Sequence, residues 1–419
     1  MSKNSASDNE KLPTESYKGV RDFYPAEQSF MNFLTSTMRE VVEKFGYAEY
    51  HASILEPSEL YRAKTSDEIV NDQTYTFTDR GGREVTLRPE MTPTVARMVA
   101  AKRREFGFPL RLYSIPNVFR YERPQRGRLR EHWQLNVDLF GSKSLEAEAE
   151  IISVAHALMT AFGAGESDFI IKIGSRNYLN ALTRELKLDK TESKKLLGLL
   201  DRRAKMAKKE FAEELKDLGV AAEMLESDQV PEDVAEVLRL LNARGISNVV
   251  FSPEIVRGFD YYSGIVFEVF DMHPMNSRSL FGGGRYDNLT ALFDSEKIAG
   301  VGFGMGDVTM RDFLEVRGWL PEYMPAAKLY IAVASPEVLP HAQVLASELR
   351  QENVNVAVDF GEKKLGDQIK AASKHSIPYL LVVGADEAKS GSYTIKDLAS
   401  GEEQTLSRQE LAAFFLNLK

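Results

Sequence analysis

Between Phe119 and Gly141 the chain reads FRYERPQRGRLREHWQLNVDLFG, and its final limb alternates, with Gln134, Asn136 and Asp138 separated by Leu135, Val137 and Leu139. Period-two alternation sets the three polar groups on one face of a strand, as a hydrogen-bonding floor. Helical spacing appears elsewhere. Phe30, Phe33, Leu34, Met38, Val41 and Val42 predict an amphipathic helix over 25–45, stopped by Gly46. Strands at 74–77 and 84–87 bracket Asp79-Arg80-Gly81-Gly82 as a hairpin. A helix is predicted to open at Pro89 and Glu90 and to run through Val95 and Val99, another to cover 144–162, and a strand to cover 169–173.

From Arg176 to about Asn248 the pattern changes to Leu, Lys, Glu and Ala at helical spacing, which predicts a helical insertion. Strand-type sequence resumes at Val249 and continues through 255–270, 281–289 and the start of 300–316. Pro321 and Pro325 mark a linker. Beyond it, apolar strands alternate with helices over 336–351 and 364–374, followed by a hairpin and a last helix: a compact α/β unit with parallel strands.

Length and charge narrow the choices. A chain of 419 residues exceeds one ordinary core, so two or three domains are expected. It has no cysteine, which excludes disulfides and thiolate chemistry, and its six histidines are scattered without HExxH spacing, so no zinc site is expected. The polar N-terminus and the absence of a long apolar run read as a short disordered tail on a soluble, cytoplasmic protein. Net charge is −9, yet nine Lys or Arg stand against two acidic residues between Lys102 and Arg130. An acidic body with one concentrated basic surface steers a polyanion to a single place. Arg120, Arg123, Arg126, Arg128 and Arg130 supply phosphate-binding forks at the centre of that surface, although a solvated hairpin with a basic tip has the same composition. Glycines at 300, 302, 304 and 306 lack GxGxxG spacing and a following strand-helix-strand unit, which excludes a dinucleotide loop.

TLRPEMT (Thr86 to Thr92), the arginine-rich hairpin, RGFDYYSG (Arg257 to Gly264), GGGRYDNL (Gly282 to Leu289) and the C-terminal KDLASGEEQ stand in the order seen in class II histidyl-tRNA synthetases, and the chain resembles that family over nearly its whole length. The resemblance implies an α+β catalytic domain with an antiparallel sheet flanked by helices, a helical insertion, a C-terminal α/β anticodon-binding domain, and a homodimer. It divides the chain into a tail over 1–14, a catalytic domain over 15–325 with the insertion at about 176–248, and an anticodon-binding domain over 326–419. The implied activity converts histidine and ATP into histidyl-adenylate and pyrophosphate, then passes the histidine to the 3′ end of tRNA(His), with Mg²⁺ accompanying ATP and no zinc.

Residue roles follow from the same resemblance. Arg120 and Arg257 match the two cations at the α-phosphate, where charge grows during attack. Glu122 and Arg128 match the adenine-side and γ-phosphate contacts. Glu90, Gln134 and Asp138 match positions that hold the amino group, the last more often Glu in the family, with Thr92 in support. Tyr262 and Tyr286 match the tyrosines that address the imidazole. Gln125, Arg126 and Arg130 are expected at the tRNA acceptor end, and Lys363, Lys364, Lys370 and Lys374 at anticodon-stem phosphates. One position departs from the pattern: Thr309 stands where class II enzymes carry the motif 3 arginine. Arg311 lies roughly 200° further round the helix, and Asp307 adds a negative charge where phosphates are expected. That loss favours an alternative, a catalytically silent histidine-binding paralogue that regulates ATP phosphoribosyltransferase; the retained arginines and C-terminal domain oppose it.

Overall fold

The computed structural model describes residues 12–62, 73–203, 206–220, 229–257, 261–276, 278–293 and 296–418. Most of the expected tail, and Gly258, Phe259 and Asp260 of the RGFDYYSG stretch, lie outside those residues. The chain separates into two compact units, one of residues 1–22 and 31–320, the other of 23–30 and 321–419.

A nine-stranded sheet forms the first unit. Its strands lie in the order β1 (Ala48–Glu49), β5 (Leu110–Ser114), β7 (Glu131–Phe140), β12 (Gly300–Gly306), β11 (Ser279–Arg285), β10 (Ile265–Asp271), β8 (Phe169–Ser175) and β9 (Val249–Phe251), with β6 (Asn117–Phe119) paired to the start of β7. Pairing is antiparallel through the interior; only the end pairs, β1 with β5 and β8 with β9, are parallel. Beside it, β2 (Leu55–Pro57), β4 (Glu84–Leu87) and β3 (Tyr75–Thr78) make a small antiparallel sheet, whose β3–β4 turn closes because the Asp79 carboxylate accepts from the amides of Gly81 and Arg83.

Helix α1 (Pro25–Lys44) follows the predicted periodicity and buries Leu34, Met38 and Val42. Helix α2 (Thr92–Lys102) starts later than predicted, because Pro93 supplies a preset φ in its first turn and Glu90 remains in the bend before it. Helix α3 (Glu146–Ala161) buries Ile151, Ile152, Val154 and Leu158. Between β8 and β9 come α4 (Arg176–Glu185), α5 (Lys190–Arg202), α6 (Lys208–Asp217) and α7 (Glu232–Ala243). The first three share a core of their own, built on Leu179, Leu182, Leu196, Leu199, Phe211 and Leu215, whereas α7 packs on α3 and on β8 and β9. Helix α8 (Asp307–Glu315) leaves β12 without a loop.

The second unit holds a five-stranded sheet in the order β14 (Val356–Val358), β13 (Leu329–Val333), β15 (Tyr379–Val383), β16 (Ser392–Asp397) and β17 (Glu403–Ser407). The first three strands are parallel and the last two form the predicted hairpin. Helices α9 (Leu339–Gln351), α10 (Leu365–Lys374) and α11 (Arg408–Asn417) complete it around Leu329, Ile331, Leu345, Leu381 and Leu411. Among the described residues no helix is long and apolar enough to cross a membrane.

Arg285, from GGGRYDNL, ties β11 to α3 through a buried fork-to-fork pair with Glu148, and also donates to the Ser142 carbonyl at 2.9 Å. Arg285→Ala strands the Glu148 carboxylate in the interior. Urea unfolding should register a loss of about 3–5 kcal/mol, and a loss under about 1 kcal/mol would contradict the assignment of this pair to the core.

Candidate active site

Strand register builds the site. Opposite Gln134, Asn136 and Asp138 of β7 stand Gly306, Gly304 and Gly302 of β12, and the next strand sets Gly282 and Gly284 against Gly304 and Gly302. Long side chains lean across the empty strip. A Cβ on Gly304 would lie 1.6 Å from Gln134 Nε2, and one on Gly302 would lie 2.6 Å from Asp138 Oδ1. Close approach of neighbouring side chains is the reason for these glycines.

Above the strip opens a cavity of about 290 Å³. Of the residues expected in the site, Glu90, Thr92, Arg120, Glu122, Arg128, Gln134, Arg257, Tyr262 and Tyr286 all line it. Arg120 enters from the β6–β7 side, its plane set by an Nε hydrogen bond to the Pro89 carbonyl at 3.0 Å. Arg257 enters from the β10–β11 side, with Nη1 3.5 Å from Glu268 Oε1 and its guanidinium 5.8 Å from the Tyr262 ring centroid. Glu122 and Arg128 pair with each other at 3.2 Å, Arg128 about half exposed.

Three expectations are corrected. Asp138 is not among the residues lining the open cavity: it lies buried within the floor, where Oδ1 accepts a hydrogen bond from the Tyr286 hydroxyl. Depth below a sheet surface is set by the glycines across the strand, which alternation does not encode. Arg130 is not presented to solvent. Its guanidinium donates to the Glu122 carbonyl and the Tyr17 hydroxyl at 3.1 Å each and stacks 4.1 Å over Tyr121, so it braces the base of the loop. Asp307 is turned away from the cavity and buried, accepting from Arg21 Nη2 at 2.6 Å and from the Trp133 amide at 2.9 Å. Burial pushes its carboxyl upward and Arg21 opposes that shift. Gln125 and Arg126 do sit at the loop tip, in a tight turn closed by reciprocal Gln125 and Arg128 backbone bonds, with Arg126 3.8 Å from Asp312 on α8.

At position 309 the threonine hydroxyl bonds the carbonyls of Leu280 and Gly306 at 2.7 and 3.2 Å, so it closes the turn into α8. Arg311 does not line the cavity. Among the cavity residues that went unpredicted, three carry polar or ionisable groups next to the expected ones. Tyr261 donates to Glu90 Oε2 at 2.9 Å and fixes that buried carboxylate; its place beside Tyr262 was the available signal. Glu268 faces Arg257 from β10. His132 is held neutral, its pKa lowered to about 3 by burial and by Arg120 and Arg21.

The arrangement can neutralise a phosphate chain between two arginines, receive a cationic group at Glu90 and Gln134, and orient a polar ring with tyrosine hydroxyls. Comparison with known proteins gives a consistent account. The family model described as histidyl-tRNA synthetase matches residues 19–307, and one described as an anticodon binding domain matches 328–418. A histidine–tRNA ligase of Leptospira biflexa is 42% identical over 96% of this chain and 97% of its own length. A crystal structure of histidyl-tRNA synthetase from Nostoc sp. PCC 7120 superposes with a TM-score of 0.81 at 24% identity, covering 97% of this chain and 99% of that one. The fold is shared too by a Bacillus halodurans chain titled an ATP phosphoribosyltransferase regulatory subunit/histidyl-tRNA synthetase, at TM-score 0.72 and 24% identity over 87% of this chain and 97% of that one.

Asp138 yields a pH prediction. Burial raises its pKa from 3.8 to about 7, with the Tyr286 hydroxyl opposing the shift. A carboxyl that holds its proton more tightly when folded stabilises at low pH and loses that contribution as pH rises toward the folded value. Relative to Asp138→Asn, wild-type stability should therefore fall by about 1.4 kcal/mol per pH unit between pH 5 and 7 and level off above. Urea unfolding of both proteins across pH 5 to 8 checks this, and a constant difference would refute it.

Proposed function

The chain belongs to the histidyl-tRNA synthetase family and is an aminoacyl-tRNA ligase that joins histidine to tRNA with ATP, and we propose that Arg120 and Arg257 are the two cations that drive its first step. The observation that carries this reading is their entry into one cavity from the two sides of the glycine strip. Histidine binds with its ammonium between Glu90 and Gln134, supported by Thr92, and its imidazole against Tyr262 and Tyr286. Asp138 acts through Tyr286, fixing the direction of that hydroxyl. The substrate carboxylate then attacks the α-phosphorus, the bond to the bridging oxygen breaks, and pyrophosphate leaves. Arg120 and Arg257 meet the charge that builds on the α-phosphate oxygens; no side-chain nucleophile is needed.

Glu122 takes the adenine side and Arg128 the γ-phosphate, in the absence of an arginine at 309. Arg128 suits that role because it is half exposed and, among the described residues, its guanidinium is held by one ion pair at the mouth. Mg²⁺ enters with ATP as part of the substrate. In the second step the terminal ribose hydroxyl of tRNA attacks the carbonyl carbon of the adenylate, the acyl–phosphate bond breaks, and AMP leaves as the hydroxyl gives up its proton, with Gln125 and Arg126 at the acceptor end. The catalytic domain is taken as residues 15–325, and the domain over 326–419 reads the anticodon, where exposed Lys363, Lys364, Lys370 and Lys374 meet phosphates. The protein works as a cytoplasmic homodimer. The regulatory alternative has less support, since the phosphate cations and a matched anticodon-binding domain are both present.

Histidine-dependent ATP–pyrophosphate exchange tests the reading. Arg257→Ala should lower kcat by about 100-fold or more, and Arg128→Ala should raise the KM for ATP about tenfold with kcat nearly unchanged. Exchange that survives Arg257→Ala intact would sink the assignment. Gly304→Ala drives the Gln134 amide out of its place, so the KM for histidine should rise about tenfold or more while the KM for ATP holds. Equal effects on both substrates would place Gln134 elsewhere.

A further inference from the structure

Arg257 has a backbone φ of +55°, in the left-handed region that a non-glycine residue occupies only when its surroundings dictate it. Those surroundings belong largely to the helical insertion. Val256, the preceding residue, is buried in the core of α4 to α6 with Leu179, Leu196 and Phe211. The carbonyl of Arg257 accepts a hydrogen bond at 2.8 Å from Nη2 of Arg176, the first residue of α4. Arg176 is itself buried, and its own amide donates to the Gly264 carbonyl at 3.0 Å, so one residue grips both ends of the RGFDYYSG segment. Further back, Glu254 pairs with Arg203 at the end of α5 at 3.2 Å and with Lys172 of β8 at 3.4 Å. Arg203 also stacks 5.2 Å over Phe211, which fixes the pair to the insertion core.

On the sheet side the seat for the guanidinium is narrow. A Cβ on Gly282 would lie 2.2 Å from Arg257 Nη1, so the fork rests directly on the glycine strip beside Glu268. A seat that fits one placement is filled only if the backbone arrives at one angle. From these contacts we infer that Arg176, with Arg203 as a second tether, is a positioning residue for amino-acid activation: the insertion sets Arg257 for the adenylate step before any tRNA is bound. The inference rests on the assignment of Arg257 to the α-phosphate.

The test is pyrophosphate exchange by the full-length protein without tRNA, using Arg176→Gln, Arg176→Lys, Arg203→Gln, Arg257→Ala and the double variant Arg176→Gln/Arg257→Ala. Arg176→Gln should cut kcat about tenfold or more while both KM values move less than about threefold, as expected when transition-state contact is lost at constant ground-state binding. Arg176→Lys, which can still donate to the carbonyl, should recover part of that loss. In the Arg257→Ala background the same change should cost less than about twofold, because its effect runs through Arg257. Arg203→Gln breaks a partly exposed pair, of the kind that contributes little to stability, so it carries the test if Arg176→Gln melts early; it should lower kcat about threefold or more, again only when Arg257 is present. Multiplying losses in the double variant, or unchanged exchange in Arg203→Gln and a stably folded Arg176→Gln, would overturn the inference. Wild-type exchange in Arg257→Ala would instead overturn the assignment on which it rests.

Discussion

Opposite Gln134, Asn136 and Asp138 of β7 the neighbouring strand carries a glycine, and the cavity exists because of that register. Side chains on adjacent strands normally stand side by side and fill the space above a sheet. Where one column is missing, the next can lie down across the gap. Gln134 and Asp138 do so from one side and Arg257 from the other, so the floor is made of polar groups lying nearly flat on backbone. A slip of one residue would replace Gly302 and Gly304 with Val301 and Phe303 and fill the strip with apolar side chains. Substrate recognition is therefore written into strand pairing before any individual side chain is considered.

The cations divide into two groups by what holds them. Arg88, Arg130 and Arg285 are buried, with carbonyls or carboxylates around them, and none of them lines the cavity. Arg120, Arg128 and Arg257 each have some fixed contact and still face the cavity. The difference matters because a guanidinium locked among carbonyls cannot turn to meet a phosphate, whereas one held at a single edge is aimed and remains able to bind.

Much of the molecule was legible in the chain. Alternation in 134–139 identified the floor strand and its polar face, the compositional break at Arg176 marked the insertion, and the ordered motifs marked the residues that converge on one cavity. What escaped was depth and distance. Asp138 shares its period with Gln134, yet the glycine opposite it lets it lie over the strip and accept from Tyr286 within the floor. Five arginines in eleven residues look equivalent, but Tyr17 and Tyr121 capture Arg130 and leave the others. Helical periodicity over 232–243 matched that of the insertion, although its apolar face belongs to α3 and the sheet edge. In each case the deciding partner lies on another element.

Partly exposed Arg21 and buried Asp307 stand 286 residues apart in the chain and meet as an ion pair. Asp307 is buried, and without Arg21 its charge would lose the cation that neutralises it. Arg21 is therefore not free to change while Asp307 stays, which couples an early segment of the chain to the end of its catalytic sheet, and a chimera that joins the front of one homologue to the back of another can inherit a mismatch at a point far from its seam.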